Sequence, residues 1–597
     1  MRLRRRFSLA AACLSVLLPV STWSAIPSAI ALPGAAPAEV PAEASMDPQP
    51  LPREGAGSAK PWWQRAVFYE IYPRSFADSN GDGIGDINGI TSKLDYLKDL
   101  GVDALWITPC YPSPQVDFGY DISDYCNIAP EFGTLADFDN LVKEAKKRDI
   151  RIIMDLVMNH TSDKHPWFVA SKSSAKDSKR DFYIWRDGKN GGPPNNWQSV
   201  FGHSAWQLDK TTGQYYYHFF YPEQPDLNWR NPAVKEAMYD VTRFWLDKGV
   251  AGFRLDAIST LYEDEKLTDN PTKPGVNNFG DPNMDHKYND RLPQIHDVLR
   301  ELRTVMGKYD GDRVVIGETF TADISGLWDM YGKKLDEIQL PMNFFFADVN
   351  KLDAQQFQKI IKEVDGNPVQ GWPVYLFSNH DQQRAYVRYG DGKHNDQIAK
   401  LMATMLLTLR GTPILYYGEE IGMTNRDPIS KDEVQDPIGK IGWPKEKGRD
   451  GERTPMQWNA EANAGFSTAK QTWVPVADNF KTHNVASERA DEQSIYRYYQ
   501  SLIQLRRKSP ALRDGTYEAV EGNPKVVSYL RQAPDQLLLI AVNMSPEEQV
   551  VELKPQQRHG RGHSSVLQAS WPNAAAPANP DKVSLPPYGS LVLEYKP

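Results

Sequence analysis

Residues 237–248 read Ala-Met-Tyr-Asp-Val-Thr-Arg-Phe-Trp-Leu-Asp-Lys, and residues 252–256 read Gly-Phe-Arg-Leu-Asp. In the first segment, apolar residues recur at spacings of three and four, which predicts an amphipathic helix. The second segment is a short apolar run, which is typical of a buried strand. Together they predict a helix that leads directly into a strand.

The same alternation recurs along the chain. Strand-like runs lie at Val67–Tyr72, Ala104–Ile107, Ile152–Val157, Gly252–Asp256, Val314–Gly317, Glu337–Pro341, Val374–Ser378 and Pro413–Tyr417. Amphipathic segments such as Ala136–Lys147 and Gln397–Leu409 separate them. Because parallel strands require crossover connections, this order predicts an α/β fold, a (β/α)8 TIM barrel. A doubly wound open sheet is the alternative, but no glycine-rich nucleotide loop follows the first strand.

Two further regions extend the predicted barrel, which we assign to residues 62–160 and 251–515. Residues 161–250 are too long for a simple crossover, so we predict an inserted domain after the third strand that ends in a return helix. Such an insertion lies on the loop face, where barrel enzymes build their sites. Alternating strands then predict a C-terminal antiparallel β-sandwich over residues 516–597.

The N-terminus has the composition of an export signal. Arginines at positions 2, 4, 5 and 6 precede the apolar stretch from Leu9 to Val20, and Ala29-Ile-Ala31 offers a cleavage site. We therefore predict a signal peptide over residues 1–31 and a periplasmic or secreted protein. A membrane anchor is the alternative, but the apolar run is shorter than the ~20 residues that span a bilayer. Residues 32–61, rich in Ala, Pro and Glu, predict a disordered linker.

Charge and composition exclude some partners. The 597 residues carry a formal net charge of −9 without a domain-wide basic surface, so we expect no nucleic-acid partner. No later apolar run is long enough for stable membrane insertion. Cys110 and Cys126 either form a disulfide after export or remain inert thiols. The sequence does not indicate the oligomeric state.

Three carboxylates follow predicted strands of the barrel. Asp256 ends the fourth strand, Glu318 ends the fifth, and Asp381 follows the seventh. Strand ends at this face carry the catalytic residues of barrel enzymes, which favours catalysis over helix capping or ion pairing. Glycoside hydrolysis needs paired carboxylates of this kind. Arg254 lies two residues before Asp256 on the same side of the strand, and its charge is expected to keep Asp256 ionised.

Six motifs occur in strand order. They are Gly101-Val-Asp-Ala-Leu-Trp-Ile-Thr-Pro109, Asp155-Leu-Val-Met-Asn-His160, Gln224-Pro-Asp-Leu-Asn228, Gly252-Phe-Arg-Leu-Asp256, Gly317-Glu318 and Asn379-His-Asp381. With these motifs the chain resembles the α-amylase superfamily of glycoside hydrolases, in the branch of oligo-1,6-glucosidases and α-glucosidases. The resemblance covers nearly all of residues 62–597.

The resemblance implies roles for the carboxylates. Asp256 matches the nucleophile that forms a β-glucosyl-enzyme, and Glu318 matches the general acid/base. Asp381 matches a residue that holds the sugar hydroxyls and favours the distorted ring of the transition state.

The resemblance also implies a set of substrate-binding residues. His160 and His380 would bind the innermost glucose beside Arg254, with Tyr120 stacked on the sugar ring. Asp117 and Arg449 would hold the 4-hydroxyl of the terminal glucose, which limits cleavage to chain ends. The residues expected near the scissile bond and the linkage-determining position are Phe220, Gln224 and Ala257.

A loop before the first barrel helix predicts a cation site. Oxygen-bearing side chains alternate with other residues at Asp78, Asn80, Asp82 and Asp86. Such spacing suits Ca²⁺, which takes six to eight oxygen ligands from flexible loops. An Asx-rich turn without metal is the alternative, and Mg²⁺ remains open as the ion. The family resemblance supports structural Ca²⁺, with the Ile84 carbonyl as a further ligand.

The resemblance thus implies a retaining exo-acting α-glucosidase with transglucosylation as a side activity. The expected substrates are short oligosaccharides such as maltose and maltooligosaccharides. Relatives that prefer α-1,6 linkages tend to carry valine after the nucleophile, so Ala257 favours α-1,4 linkages, with α-1,6 cleavage still open. Sucrose isomerase and trehalose synthase are alternatives on the same scaffold. Residues 344–353 lack the paired arginines of the isomerases, and the retained acids disfavour a non-catalytic sugar-binding relative.

Overall fold

The computed structural model describes residues 60–596. The predicted signal peptide, and the predicted linker except for its last two residues, lie outside the described residues. Within residues 60–596, no helix is long and apolar enough to cross a membrane.

Eight parallel strands form the barrel. They are Phe68–Ile71 (β1), Ala104–Ile107 (β2), Arg151–Val157 (β3), Gly252–Asp256 (β4), Val314–Gly317 (β5), Leu340–Pro341 (β6), Val374–Tyr375 (β7) and Thr412–Tyr416 (β8). Their hydrogen-bonded order is β6-β5-β4-β3-β2-β1-β8-β7, so the ring is closed except between β6 and β7. The TIM-barrel prediction is therefore confirmed.

The two strands beside this gap are shorter than the sequence predicted. We expected β6 to begin at Glu337, but the strand begins at Leu340. The Glu337 carboxylate instead lies 2.5 Å from His296 Nδ1 and Arg300 Nη1 on the helix Ile295–Met306. The strand expected over Val374–Ser378 ends at Tyr375. The apolar runs at these positions correctly indicate buried residues, but only two residues of each run form hydrogen bonds with a neighbouring strand.

Helices surround the barrel and occupy its loops. They lie at Trp62–Arg65, Pro73–Phe76, Ile87–Ser92, Leu94–Leu100, Leu135–Lys147, Pro166–Ser173, Pro232–Asp247, Ile295–Met306, Ile324–Asp329, Phe344–Ala347, Ala354–Asp365, Ala385–Arg388, Asn395–Thr408, Pro437–Gly442, Val485–Ala490, Ile495–Lys508 and Pro510–Asp514. Local sequence explains several starts. For example, Thr134 and Asp137 form a capping box, and Asn231 caps a helix that begins with Pro232.

The segment between β3 and β4 carries its own small sheet. Three antiparallel strands, Trp185–Arg186, Trp206–Leu208 and Tyr215–Tyr217, pack around a separate apolar cluster that includes Trp197 and Phe219. The chain returns to the barrel through Pro232–Asp247. This insertion therefore brings aromatic side chains over the carboxyl ends of the strands.

A second excursion, which the sequence did not predict, follows β4. It is an antiparallel hairpin formed by Thr272–Val276 and Pro282–Met284. The first of these strands is exposed along its whole length. Because it buries little apolar surface, it lacks the alternating pattern that identifies a strand in a sequence.

The C-terminal region is built from two antiparallel sheets. The larger has the order Thr516–Ala519, Val526–Ala533, Gln536–Asn543, Ser590–Lys596, His563–Ala569, and the smaller pairs Gln549–Glu552 with Lys582–Leu585. Both sheets contribute to one apolar cluster. The predicted sandwich is confirmed. Cys110 and Cys126 are free thiols, and Cys110 is buried.

Candidate active site

The three predicted acids meet at one end of the barrel. Asp256 is the last residue of β4, Glu318 follows β5 directly, and Asp381 lies in the loop beyond β7. All three line a cavity of about 400 Å³, within the range of small-ligand pockets. Nine of the twelve predicted catalytic and substrate-binding residues line it, namely Asp117, Tyr120, His160, Phe220, Asp256, Ala257, Glu318, Asp381 and Arg449. The others, Gln224, Arg254 and His380, are buried behind the lining.

Arg254 joins the carboxylates beneath the cavity. Its side chain is fully buried. Nη1 lies 2.7 Å from Asp256 Oδ1 and 3.0 Å from Asp155 Oδ1, and Nη2 lies 2.7 Å from Glu318 Oε1. Oxygens of Asp256 and Glu318 thus rest on the two terminal nitrogens of one guanidinium, which places the two carboxyl groups side by side. Asp155 belongs to the second of the six motifs, but its role could not be predicted from the sequence.

The backbone after the nucleophile candidate reinforces this arrangement. Ala257 adopts a left-handed conformation with φ of 45°. Its N–H donates to Glu318 Oε2 at 2.8 Å, so the residue that follows Asp256 also positions Glu318. A non-glycine residue in this region is strained, and such strain concentrates at functional sites.

Burial changes the protonation of this pair. It raises the pKa of Asp256 to about 7, although Arg254 acts in the opposite direction. Burial likewise raises the pKa of Glu318 to about 7, again against Arg254. We expected the charge of Arg254 to keep Asp256 ionised, and this expectation needs correction because desolvation has the larger effect on the pKa of Asp256. Near neutral pH the pair can share one proton, as a nucleophile and an acid require.

This pairing predicts a bell-shaped pH profile of kcat/KM with its maximum near pH 7, where both pKa values lie. Activity should fall at lower pH because Asp256 gains a proton. It should fall at higher pH because Glu318 loses its proton. Initial rates on a terminal glucoside across this range test the prediction, and a plateau extending down to about pH 4, the usual aspartate range, would contradict it.

A polar cluster lines part of the cavity. Arg449 Nη2 lies 2.8 Å from Asp117 Oδ1, and its Nη1 lies 2.9 Å from Asp381 Oδ1. Burial acts to raise the pKa of Asp381, but the adjacent guanidinium groups of Arg449 and Arg453 oppose this and hold the pKa below its usual value. Asp381 is thus held ionised. Arg453, which was not predicted from the sequence, also contacts this carboxylate, with Nη2 2.7 Å from Asp381 Oδ1.

The predicted sugar-binding histidines lie in the same network. His160 Nε2 lies 3.1 Å from the Tyr120 carbonyl oxygen and 3.0 Å from Gln224 Nε2. Gln224 also donates to Asp117 Oδ2 at 3.1 Å. Burial lowers the pKa of His160 to about 3, so this imidazole is neutral. His380 stacks on Tyr120, with ring centroids 5.4 Å apart.

Aromatic rings complete the lining of the cavity. Phe201 and Phe320, which were not predicted from the sequence, line it together with Phe220. Phe320 is 51% exposed and stacks on Phe344 at 4.2 Å between ring centroids. Polar groups beside aromatic rings suit a hydroxylated ring such as a sugar, whose hydroxyls need partners and whose faces are apolar.

The predicted cation loop is folded on itself. Asp78 accepts backbone N–H groups of Asn80, Gly81 and Gly83, and Asp82 accepts that of Ile84. Asp86 accepts the backbone N–H of Ser79 and caps the helix that follows. Within residues 60–596, no three His, Cys, Asp or Glu side chains are grouped so that they could hold a metal ion. The loop offers oxygen atoms that suit Ca²⁺, but these atoms do not point at one common position. Calcium binding stays a prediction.

A family comparison agrees with this geometry. The α-amylase catalytic-domain family matches residues 70–515, which include all of the barrel strands except the first two residues of β1. The chain belongs to the α-amylase family. This α-amylase-family chain is 43% identical to an oligo-1,6-glucosidase of Parageobacillus thermoglucosidasius over 82% of its length and 92% of the relative's. It is 41% identical to a probable α-glucosidase of Rhizobium meliloti over 84% of its length and 93% of the relative's.

Solved structures of the α-amylase family are also similar. The trehalulose synthase of Pseudomonas mesoacidophila MX-45 superposes with a TM-score of 0.82 at 37% identity, covering 90% of this chain and 100% of that one. An isomaltulose synthase variant of Erwinia rhapontici NX5, in complex with sucrose, gives a TM-score of 0.83 at 37% identity, with 91% and 100% covered. The fold prediction and the family prediction are both confirmed.

Proposed function

We propose that this α-amylase-family protein is a retaining exo-acting α-glucosidase that hydrolyses terminal glucose from short oligosaccharides. The observation that carries the proposal is Arg254, which holds one oxygen each of Asp256 and Glu318 on adjacent nitrogens. Retaining enzymes need their carboxyl groups only ~5–5.5 Å apart, so that one attacks while the other protonates the leaving oxygen. A glucosyl-enzyme so formed reacts with water, or with a second sugar in transglucosylation.

The polar cluster around Asp117 and Arg449 supports cleavage at chain ends. Asp117 and Arg449 contact each other there, and Gln224 packs behind Asp117. A sugar ring seated against these groups has its far hydroxyls hydrogen-bonded and no room for a further sugar. Maltose and maltooligosaccharides, with one terminal glucose each, fit this arrangement.

Linkage preference is the finer part of the proposal. Several similar relatives are named oligo-1,6-glucosidases, and one, from Drosophila virilis, is named maltase 1. Ala257, which lines the cavity, favours α-1,4 linkages by its small side chain. A difference of one or two methyl groups in a pocket changes the preference between two substrates by only ~1–3 kcal/mol. We therefore expect both linkages to be cleaved, with maltose hydrolysed faster than isomaltose.

The test is product analysis with maltose, isomaltose, sucrose and trehalose supplied separately. Glucose released fastest from maltose is the expected result, and an aryl α-glucoside, whose only glucose is the cleaved one, should release it first as the α-anomer. Initial release of β-glucose from the aryl α-glucoside would contradict retention. Isomeric disaccharides without net glucose would favour the sucrose isomerase or trehalose synthase alternative, which the similar trehalulose and isomaltulose synthases make worth testing.

Calcium at the loop formed by residues 78–86 belongs to this proposal, as a structural ion. Its donors are carboxylate and amide oxygens of Asp78, Asn80, Asp82 and Asp86 with the Ile84 carbonyl, which is the chemistry that Ca²⁺ prefers. Export to the periplasm or the medium, proposed from the N-terminal sequence, places the loop where calcium is abundant. The ion would fix the loop ahead of the first barrel helices.

Calcium binding predicts a change in thermal stability. About 1 mM Ca²⁺ should raise the unfolding midpoint by about 2 °C or more over the EDTA-treated protein, because a ligand that binds only the folded state stabilises it. Asp82→Ala should abolish the shift. Asp95→Ala, which removes an exposed carboxylate on the neighbouring helix, should keep it. Identical wild-type midpoints with and without calcium would contradict the proposal.

A further inference from the structure

Glu70 is a carboxyl group in the barrel interior that the mechanism above does not use. It lies on β1 and is 0% exposed. Its Oε1 lies 2.7 Å from His380 Nδ1 and accepts the His380 backbone N–H at 3.2 Å. Its Oε2 is buried and has no hydrogen-bond partner among residues 60–596. A buried carboxyl therefore contacts the back of an imidazole whose front faces the candidate site.

The front of His380 faces two acceptors. Nε2 lies 2.7 Å from Tyr120 Oη and 3.3 Å from Asp381 Oδ2. The Tyr120 hydroxyl donates to Asp155 Oδ2 at 3.1 Å, so its oxygen is left to accept. Asp381 is held ionised by Arg449 and Arg453. If Nε2 carried no proton, its lone pair would face two oxygen acceptors with no hydrogen between them. A protonated Nε2 can instead donate a hydrogen bond to these oxygens.

We propose that Glu70 is a positioning residue which, as a neutral carboxylic acid, donates its proton to Nδ1 of His380 and so fixes the Nε2–H tautomer of that imidazole. The Nε2–H then points at Asp381 and at the hydroxyls of a sugar in the cavity. A neutral imidazole has one donor nitrogen, and the bond made by the other nitrogen decides which one it is.

Burial supports this assignment of the proton. It raises the pKa of Glu70 and lowers that of His380, so the proton between them belongs to the carboxyl. The charged groups around Glu70 act in both directions, Arg254 favouring its ionised form and Asp155 and Asp381 the neutral form. The absence of a partner for Oε2 also fits a neutral acid. Leaving a charged carboxylate oxygen buried without a hydrogen bond lowers the stability of the fold more than leaving the carbonyl oxygen of a neutral acid without one.

The direct test is the tautomer of His380 in the intact protein. With ¹⁵N-labelled histidine, and with His380→Asn to assign the signals, the long-range nitrogen–proton NMR pattern should show Nε2 protonated and Nδ1 bare across pH about 5 to 8. The Nδ1–H tautomer or a doubly protonated ring would overturn the proposal. This measurement needs no substrate, so it decides the point even if the protein is not a glucosidase.

Two variants of similar size provide the kinetic test, which rests on the proposed function. Glu70→Gln places an amide N–H where the acid proton was, but the amide nitrogen cannot accept the His380 backbone N–H that Oε1 accepts. The variant should therefore keep the Nε2–H tautomer and lower kcat/KM by less than about tenfold. Glu70→Met offers no donor and should lower kcat/KM by about 10- to 100-fold with a displaced pH profile. Full activity in a folded Glu70→Met protein, or an equal loss in Glu70→Gln, would refute the role of the neutral acid.

Discussion

Replacing Asp256 by Asn should lower kcat on maltose by about 10⁴-fold or more while leaving the protein folded. The amide cannot attack the anomeric carbon, so no glucosyl-enzyme forms. The carboxylate also lies 2.7 Å from Arg254 Nη1, and its loss leaves a buried guanidinium with one fewer counter-charge. Steady-state rates with thermal unfolding as the folding check measure the effect.

A matched control separates chemistry from general charge removal. Asp264→Asn changes a partly exposed carboxylate in the loop after the same strand and should keep activity near the wild-type level. A small anion supplies a positive signature, because azide added to Asp256→Gly can attack the anomeric carbon from the face that the carboxylate occupied. It should yield a β-glucosyl azide as the sugar leaving group departs. A glucosyl azide of α configuration, or wild-type rates in Asp256→Asn, would contradict the nucleophile role.

Much of this site could be predicted from the sequence because a barrel converts strand order into spatial order. Each strand end contributes to the same face, so acids after β4, β5 and β7 must meet, although Asp256 and Asp381 are far apart in the chain. The apolar runs that gave β2, β4 and β5 their bounds are fully buried, which is why those bounds were correct.

The contacts behind the cavity could not be predicted. The salt bridge from Arg254 to Glu318, the bond from the Ala257 N–H to Glu318 and the contact of Glu70 with His380 depend on side-chain direction inside the barrel. No periodicity encodes such contacts between strands. The exposed hairpin after β4 was missed for a related reason, since an element without a buried face leaves no apolar pattern.

The protonation of the pair shows the same limit. From sequence, the proximity of Arg254 to Asp256 indicated an ionised carboxylate with an ordinary or lowered pKa. In the structure both carboxyl groups are almost completely buried, and desolvation outweighs the guanidinium. A neighbouring charge can be read from spacing, whereas burial is a property of the whole fold.

Glu318→Gln should separate the two steps of catalysis. The amide cannot protonate a departing sugar oxygen, so hydrolysis of maltose should fall by about 10²- to 10⁴-fold. An aryl α-glucoside with a nitrophenolate leaving group needs little protonation, so formation of its glucosyl-enzyme should be far less impaired. Single-turnover release of the nitrophenol, compared with steady-state glucose production, measures this difference. Glu301→Gln, on an outer helix where it contacts Lys235, is the matched control and should keep activity.

The decisive quantity is the ratio of the two losses. If Glu318 is the acid/base, loss of the acid slows the first step only for substrates with poor leaving groups. Loss of the base slows the second step, deglucosylation, for every substrate. A rapid burst of nitrophenol followed by slow turnover is therefore expected, and added azide should speed the slow phase and give an α-glucosyl azide. Equal losses on maltose and the aryl glucoside without a burst would mean that Glu318 only orients the Ala257 backbone and Arg254, because a group that positions others impairs both substrates alike.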